Sequence, residues 1–265
     1  MIDTAPLAIR FIYGESVWQA MIRFEQVSKW YGEHQVLIDI DLIVHKGTLN
    51  LLCGESGSGK TTLLSTINGI EPIQKGSIFI DNTQVISGGY KQRSLCQQIG
   101  VVYQGYALFP HMTVERNVRI GLEKGLQLSK KSAIQRAHSY LDKMGMLMKR
   151  EAYPAELSGG QQQRVAIARA LAMEPKVFLM DEPVSALDSD NAAVVVDTLK
   201  SLRQEGMTLV VASHNLFALA DVADEITCMA DGKISERGNR TEGFGPDHSN
   251  IARWLSSKNP SLKPH

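Results

Sequence analysis

Apolar and polar residues alternate near the start of the sequence and then give way to short apolar runs. Residues 22–27 alternate as in a half-buried strand, and Ile38, Ile40, Leu42 and Val44 share one face of a second strand before Gly47. Neighbouring alternating strands predict an antiparallel sheet early in the chain. Residues 1–20 show no period, so we expect an N-terminal extension that is either a mis-assigned start, with Met21 as the true first residue, or disordered.

Four apolar runs follow at wide intervals, at residues 51–53, 99–103, 177–180 and 208–212. Such runs are typical of parallel strands that are buried on both faces. Helical stripes lie between them, one at 134, 137, 141 and 144 before Gly145 and one at 192, 195, 196, 199 and 202 before Gly206. Near the end, residues 225–234 predict a hairpin because Asp231-Gly232 can supply the positive φ values of its turn. The polar residues 256–265 predict a loose tail.

The composition narrows the functional classes. The chain has 265 residues, with 28 Lys plus Arg against 28 Asp plus Glu, so a bulk electrostatic attraction to nucleic acid is absent and no nucleic-acid partner is expected. No apolar run approaches the roughly 20 residues needed to cross a bilayer, and residues 1–20 lack the pattern of a signal peptide. The three cysteines show no C-x-x-C spacing. We therefore expect a cytosolic protein with reduced thiols.

Polar segments stand directly after all four apolar runs. These segments are residues 54–61, Gln104, Asp181-Glu182 and Ser213-His214. In open α/β sheets, ligands bind at the carboxyl ends of the strands. The four segments are therefore predicted to converge on one site.

The first segment matches the phosphate-loop pattern G-x-x-x-x-G-K-[ST], known as Walker A. Its glycines let successive N–H groups and a helix N-terminus face phosphate oxygens. Lys60 would bridge the β and γ phosphates, and Thr61 would ligate Mg²⁺. The alternative is a flexible Gly/Ser loop. The residues expected to bind the nucleotide here are Gly54, Glu55, Ser56, Gly57, Ser58, Gly59, Lys60, Thr61 and Thr62.

Asp181-Glu182 follows a four-residue apolar run, which is the arrangement of a Walker B segment. An aspartate there holds Mg²⁺ directly or through water. Glu182 is then placed to orient and deprotonate the attacking water. The alternative is an acidic turn that merely ends a strand.

Residues 157–164, LSGGQQQR, form the most specific segment. Ser158 and Gln161 have capping-box spacing, and the two glycines leave N–H groups open at the mouth of a helix. A merely capped helix is the alternative. The segment resembles the signature of the ATP-binding cassette (ABC) ATPases, and residues 21–255 resemble one cassette.

The resemblance implies a RecA-like P-loop core with an antiparallel β subdomain and an α-helical insertion at about residues 105–160. It implies that ATP and Mg²⁺ are the cofactors. It also implies a head-to-tail homodimer in which Ser158, Gly159, Gly160 and Gln161 contact the γ-phosphate bound by the other copy. A single chain would then supply half of each of two sites.

The same resemblance assigns four further positions. Tyr31 would stack on adenine, unless it is an ordinary strand aromatic. Gln104 would be the Q-loop glutamine that senses Mg²⁺ and the γ-phosphate. Asp188 ends a D-loop at residues 185–188, and His214 would contact the γ-phosphate and hold the attacking water with Glu182. Ser213 and Asn215 depart from the commoner threonine and acidic residue, which puts the neighbouring polar network in doubt.

Chains of this kind mostly act beneath transmembrane permease subunits. Residues 107–112, ALFPHM, are expected to receive such a partner, unless they pack on their own subdomain. Residues 55–71 and 106–118 are similar to importer ATPases for polar amino acids, which implies a peripheral location on the cytoplasmic face of the inner membrane and a periplasmic solute-binding protein. The alternatives are a lipid or lipoprotein exporter and a soluble, non-transport ABC ATPase. The signature argues against a small-molecule kinase, and the lack of N-K-x-D argues against a GTPase.

Overall fold

The computed structural model describes residues 19–86, 93–185, 187–240 and 251. Nearly all of the expected N-terminal extension and the whole expected tail at 256–265 lie outside these residues, as does Ala186 of the expected D-loop. Ten strands occur in the described part of the chain: β1 (Ala20–Tyr31), β2 (His34–His45), β3 (Leu49–Cys53), β4 (Lys75–Ile80), β5 (Thr83–Gln84), β6 (Ile99–Val102), β7 (Val177–Asp181), β8 (Thr208–Ala212), β9 (Glu225–Ala230) and β10 (Lys233–Asn239).

Helices connect most of these strands. They are α1 (Lys60–Ile67), α2 (Arg93–Cys96), α3 (Val114–Lys124), α4 (Lys130–Lys143), α5 (Gly159–Leu171), α6 (Ser189–Gln204) and α7 (Leu216–Ala220), with short 3₁₀ turns at Leu147–Lys149 and Pro154–Glu156. Within the described residues, none of the helices is both long and apolar enough to cross a membrane. The predicted stripe of α6 is confirmed, since Val195, Leu199 and Leu202 are buried. On α4 the buried stripe begins at Ala133, and Ile134 is only partly buried.

The first sheet has the strand order β2-β1-β4-β5, and all its neighbours are antiparallel, as predicted. The predicted face of β2 is wrong at one position. Ile40, Leu42 and Val44 are buried, but Leu37 rather than Ile38 continues that face. The register explains the change: Val27 pairs with Ile40 and Lys29 with Leu37, so β2 carries one extra residue and forms a bulge. One extra residue moves every side chain before it to the opposite face.

The second sheet has the order β10-β9-β3-β8-β7-β6. Its four predicted strands, β3, β8, β7 and β6, are parallel neighbours, and each is almost wholly buried. Strand β9 extends the parallel set beside β3 and turns into antiparallel β10 through Asp231 and Gly232, whose φ values are 49° and 74°. The predicted hairpin is confirmed. The register also places Cys53 opposite Cys228, and both are free thiols.

Apolar side chains from α3, α4 and α5 form their own core cluster. Its buried members include Val118, Leu141 and Val165. The helix α5 also buries residues against the parallel sheet, because Ala166 and Ile167 belong to the core of that sheet. The helix that begins at the signature segment is therefore shared between the helical layer and the sheet.

Candidate functional site

The phosphate-loop segment connects the end of β3 to the start of α1. Gly54, Gly57 and Gly59 have φ values of 147°, 83° and 103°, a region that side-chain-bearing residues rarely adopt. A Cβ at Gly54 would lie 2.2 Å from the carbonyl oxygen of Met229 on β9. Both the backbone conformation and this close approach therefore require glycine. The loop ends at the N-terminus of α1, whose open N–H groups form an anion-binding site.

Lys60 is buried and lies inside the curve of the loop. Its Nζ donates hydrogen bonds to the carbonyl oxygens of Gly54 and Glu55, at 2.8 and 2.9 Å. The N–H of Gly232, in the β9–β10 turn, donates to the carbonyl of Ser58 at 3.3 Å. These contacts hold the ammonium charge against the first two residues of the loop, and the β9–β10 turn supports the loop at Ser58.

Asp181, at the carboxyl end of β7, meets the phosphate loop. The hydroxyl of Thr61 donates to Asp181 Oδ2 at 2.8 Å. Burial raises the pKa of the Asp181 carboxyl, and the Thr61 hydroxyl partly opposes that rise. The second oxygen, Oδ1, is buried and has no hydrogen-bond partner among the described residues. A buried carboxylate oxygen without a partner, beside a hydroxyl, fits a hard divalent cation such as Mg²⁺.

Glu182 and His214 are brought together between the ends of β7 and β8. The Glu182 backbone has φ 51°, a strained value for a residue with a side chain. Its Oε1 accepts the backbone N–H of His214 at 2.9 Å and lies 2.8 Å from the imidazole Nδ1. The Ser213 hydroxyl lies 3.4 Å from Oε2 and accepts the N–H of Asn215 at 3.0 Å. These contacts fix the Glu182 carboxylate at the sheet edge.

The signature segment has the geometry of a capping box. Ser158 Oγ accepts the N–H of Gln161, and the Gln161 side chain accepts the N–H of Ser158. Ser158 and Gly159 are exposed, whereas Gly160 is buried, and a Cβ on Gly160 would lie 2.3 Å from the Asn191 side chain. Asn191 in turn donates its N–H to Asp188, the N-cap of α6. Hydrogen bonds from Asn191 lower the pKa of Asp188.

Comparison with known proteins agrees with this geometry. The sequence pattern of the family described as ABC transporter matches residues 37–185, which is more than half of the chain. The chain belongs to the ABC transporter family. It is 46% identical over 238 residues to the glutamine transport ATP-binding protein GlnQ of Geobacillus stearothermophilus, covering 90% of this chain and 98% of that protein. It is 41% identical over 238 residues to the glutamate/aspartate import ATP-binding protein GltL of Escherichia coli K12, covering 90% and 99%.

Solved structures support the same assignment. The dimeric, post-hydrolysis structure of the ATP-binding cassette MJ0796 with ADP and Pi is similar with a TM-score of 0.77 and 31% identity, covering 83% of this chain and 98% of that one. The predicted RecA-like α/β fold of an ABC cassette is thereby confirmed. The protein is an ATPase of the ABC type that binds ATP.

Tyr31 of this ABC ATPase lies in the first sheet. It is exposed, and the Lys29 ammonium lies 4.5 Å from the centre of its ring. Tyr31 pairs with His34 at the β1–β2 turn, and two residues later the carbonyl of Val36 lies 3.0 Å from where a Cβ on Gly59 would stand. The end of the hairpin that carries Tyr31 therefore lies beside the phosphate loop.

The structure brings some of the predicted site residues close together and separates others. Lys60, Thr61, Asp181, Glu182 and His214 lie at one edge of the parallel sheet, and Gln104 is exposed just after β6. In the described residues, no hydrogen bond or ion pair joins residues 158–161 to residues 54–62. The ABC signature thus lies on a separate element of the same chain.

Sequence reasoning missed two contributors to this ABC site and misplaced one residue of the expected partner surface. The hydroxyl of Ser213, which stands where threonine is commoner, donates to the Glu182 carboxylate and so takes part in the polar network around it. Met229 supports the phosphate loop through its backbone, which no side-chain pattern signals. Leu108, expected on an exposed apolar patch, packs instead against two core clusters, while Ala107, Phe109, Pro110 and His111 are exposed.

Proposed function

We propose that this ABC ATPase energises the import of a small polar amino acid through partner transmembrane subunits. The observation that carries the proposal is its similarity, over 90% of its length, to proteins named for glutamine and for glutamate/aspartate transport. The similarity extends over nearly all of those relatives. An exporter or a soluble ABC ATPase would share the catalytic residues, so the choice rests on these relatives rather than on the site.

Each residue at the sheet edge has a proposed part in hydrolysis. Lys60 and the loop N–H groups hold the β and γ phosphates, which positions the reacting phosphorus. Glu182 orients the attacking water and accepts its proton, because its carboxylate is held by the backbone of His214. His214 is exposed enough to contact the γ-phosphate while it remains beside Glu182. Tyr31 stacks on the adenine.

Thr61, Asp181 and Gln104 are the residues that would hold Mg²⁺. The Thr61–Asp181 contact at 2.8 Å and the unpartnered buried Oδ1 of Asp181 support two of these three. When bound, Mg²⁺ neutralises the charge that develops on the phosphate oxygens. Gln104 then reports occupancy of the site to the helices that follow it.

We propose that two copies pair head to tail around two ATP molecules. Within the Ser158–Gln161 helix mouth, the capping box bonds the N–H groups of Ser158 and Gln161, whereas those of Gly159 and Gly160 have no intrahelical acceptor and would face a second chain. Asp188 would lie at the same interface. The cassette would span residues 21–255, with a helical insertion at about 105–160 that moves as the dimer closes.

The proposed partners are transmembrane permease subunits and a periplasmic solute-binding protein. The protein would then lie peripherally on the cytoplasmic face of the inner membrane. Phe109, which is 41% exposed, together with Ala107, Pro110 and His111 forms the surface offered to the permease. No nucleic-acid partner is proposed, because the charge is balanced.

The test is a reconstituted transport assay. The chain would be co-purified with the candidate permease, placed in proteoliposomes with the solute-binding protein, and supplied with ATP and labelled amino acids. We expect ATP-dependent uptake of glutamine, glutamate or aspartate, and no uptake with the matched variant Glu182→Gln. Uptake of none of the amino acids, with intact ATPase activity, would reject the import proposal and leave the ATPase assignment standing.

A further inference from the structure

The segment that follows Gln104 contains two consecutive strained residues. Tyr106 and Ala107 have φ values of 59° and 49°, in the left-handed region that residues with side chains rarely occupy. Two such residues in sequence persist only when the surroundings hold them in place. Something in the fold must therefore fix this part of the Q-loop.

Arg169, near the end of α5, supplies that hold. Its Nη1 donates to the carbonyl of Ala107 at 2.6 Å, and its Nη2 donates to the carbonyl of Tyr106 at 3.0 Å. Both acceptors belong to the strained residues themselves. Among the described residues, Arg169 has no carboxylate partner within ion-pair distance, so its guanidinium is committed to these two carbonyls. A guanidinium suits this task because its planar donors have a fixed fork geometry.

Tyr106 also contacts the opposite end of the same helix. The Tyr106 hydroxyl lies 3.2 Å from the position that a Cβ on Gly159 would occupy. Gly159 and Arg169 are ten residues apart on α5, about 15 Å along the helix axis. Tyr106 therefore lies along α5, with its carbonyl bonded to Arg169 and its hydroxyl close to Gly159.

We infer that Arg169 is a positioning residue that locks the Q-loop to the signature helix, so that Gln104 and the Ser158–Gln161 helix mouth move as one body. This inference rests on the proposed role of Gln104 in sensing the γ-phosphate. Without Arg169 the loop relaxes out of the left-handed region, and Gln104 is no longer held at a fixed place relative to the signature. Arg169 itself touches no reacting atom.

The first test separates rate from affinity. In Arg169→Gln, we expect kcat for ATP hydrolysis to fall about tenfold, a barrier increase of about 1.4 kcal/mol, while the nucleotide Kd changes less than twofold. Arg169→Lys, which keeps the charge but loses the fork, should recover only part of the rate. The control is Arg136→Gln, which breaks an exposed ion pair with Glu174 elsewhere in the helical layer and should leave kcat unchanged. A wild-type kcat in Arg169→Gln would overturn the inference.

The second test uses the strain directly. Glycine occupies the left-handed region without penalty, so Ala107→Gly should remove part of the need for Arg169. With the purified chain, we expect the Arg169→Gln/Ala107→Gly double variant to hydrolyse ATP at least threefold faster than Arg169→Gln alone, with Ala107→Gly alone measured as the reference. If the effects of Arg169→Gln and Ala107→Gly on the hydrolysis rate are additive, Arg169 acts only by packing, and the inference is rejected. If Arg169→Gln does not fold, judged by its thermal unfolding, the same comparison is made in Arg169→Lys.

The variant Gln104→Ala distinguishes the proposed role of Gln104 from the inferred role of Arg169. If Gln104→Ala hydrolyses ATP normally, the proposed role of Gln104 fails, and the inference fails with it. If Gln104→Ala is slow but Arg169→Gln is not, only the inference about Arg169 fails. We expect both variants to be slow.

Discussion

The sheet edge and the signature helix mouth are built in opposite ways. At the sheet edge, side chains from α1 and from the ends of β7 and β8 hold one another: Thr61 contacts Asp181, and Glu182 contacts His214. At the helix mouth, the side chains of Ser158 and Gln161 hydrogen-bond, within the described part of the chain, only to each other's backbone N–H groups, and Ser158 is exposed. The sheet edge is a preorganised cluster of polar side chains, whereas the helix mouth is a preformed set of donors of which only part is already bonded.

This difference fits the proposed dimer, in which one chain would supply only half of each site. The sheet edge draws its order from buried parallel strands, which position polar groups at their carboxyl ends. The helix mouth draws its order from a capping box, which satisfies two of its N–H groups without any ligand and leaves the others open. The two regions should therefore respond differently to substitution.

Glu182→Gln should have the largest effect and act only on chemistry. The amide keeps the shape of the side chain and can still accept the His214 N–H, but it cannot take a proton. We expect kcat to fall about 10²- to 10⁴-fold, with ATP affinity preserved and a dimer accumulating with ATP. Phosphate release and size-exclusion chromatography measure these outcomes. Glu174→Gln, at an exposed position, is the control, and near-normal turnover in Glu182→Gln would remove this residue as the base.

Lys60→Ala should weaken ATP binding rather than slow the hydrolysis of bound ATP. Removing a buried ammonium that faces phosphate is expected to raise the Kd for ATP on the order of 100-fold. Calorimetric titration of the purified chain measures this. Lys176→Ala, which loses only an exposed ion pair with Asp81, should bind ATP normally. An unchanged Kd in Lys60→Ala would contradict the phosphate-loop assignment. It would also remove the expected difference between the sheet edge and the helix mouth.

Ser158→Ala tests the helix mouth alone. Loss of an N-cap hydroxyl costs about 1 kcal/mol of stability, and we also expect ATP-driven dimerisation to weaken while ATP affinity of the single chain stays the same. Ser129→Ala is a closely matched control, because Ser129 caps α4 with the same hydroxyl-to-N–H bond. Equal stability losses with unequal dimerisation would support a second chain at Ser158. Equal dimerisation would argue that this cap is only structural.

Sequence reasoning predicted the sheet edge well for a physical reason. Buried parallel strands produce continuous apolar runs, and the chemistry follows each run directly, as Asp181-Glu182 follows residues 177–180. Local sequence patterns also predicted the capping box and the Asp231-Gly232 turn, because both features depend on residues that are close in sequence. Such features can be predicted without knowing the rest of the fold.

Features that depend on distant backbone were not predictable in this way. The bulge in β2 moved Leu37 onto the buried face because β1 and β2 differ by one residue in register, which no alternation pattern records. The contact between Arg169 and the carbonyls of residues 106 and 107 joins groups more than 60 positions apart. The neighbouring positions of Cys53 and Cys228 likewise follow from strand order alone. Tertiary approach, rather than local propensity, decides these cases.

Asp181→Asn should have the smallest effect, which is a change in folding stability that depends on pH. Because burial raises the pKa of Asp181, the folded protein holds this proton to a higher pH than the unfolded chain, whose carboxyl has its ordinary pKa of 3.8. Wild-type stability should therefore fall, relative to the asparagine variant, as pH rises from about 3.8 through the raised pKa, and the deficit should remain above it.

At neutral pH without Mg²⁺, we accordingly expect Asp181→Asn to be more stable than wild type by about 1 kcal/mol, the scale of an imperfectly compensated buried polar group. Urea unfolding between pH 4 and 7 measures the difference, with the exposed Asp142→Asn as control. Added Mg²⁺ should then stabilise wild type selectively, because only the carboxylate offers the charge that the cation needs. An Asn variant that is less stable at pH 7, or equally stabilised by Mg²⁺, would mean that the cation is held elsewhere at this edge of the sheet.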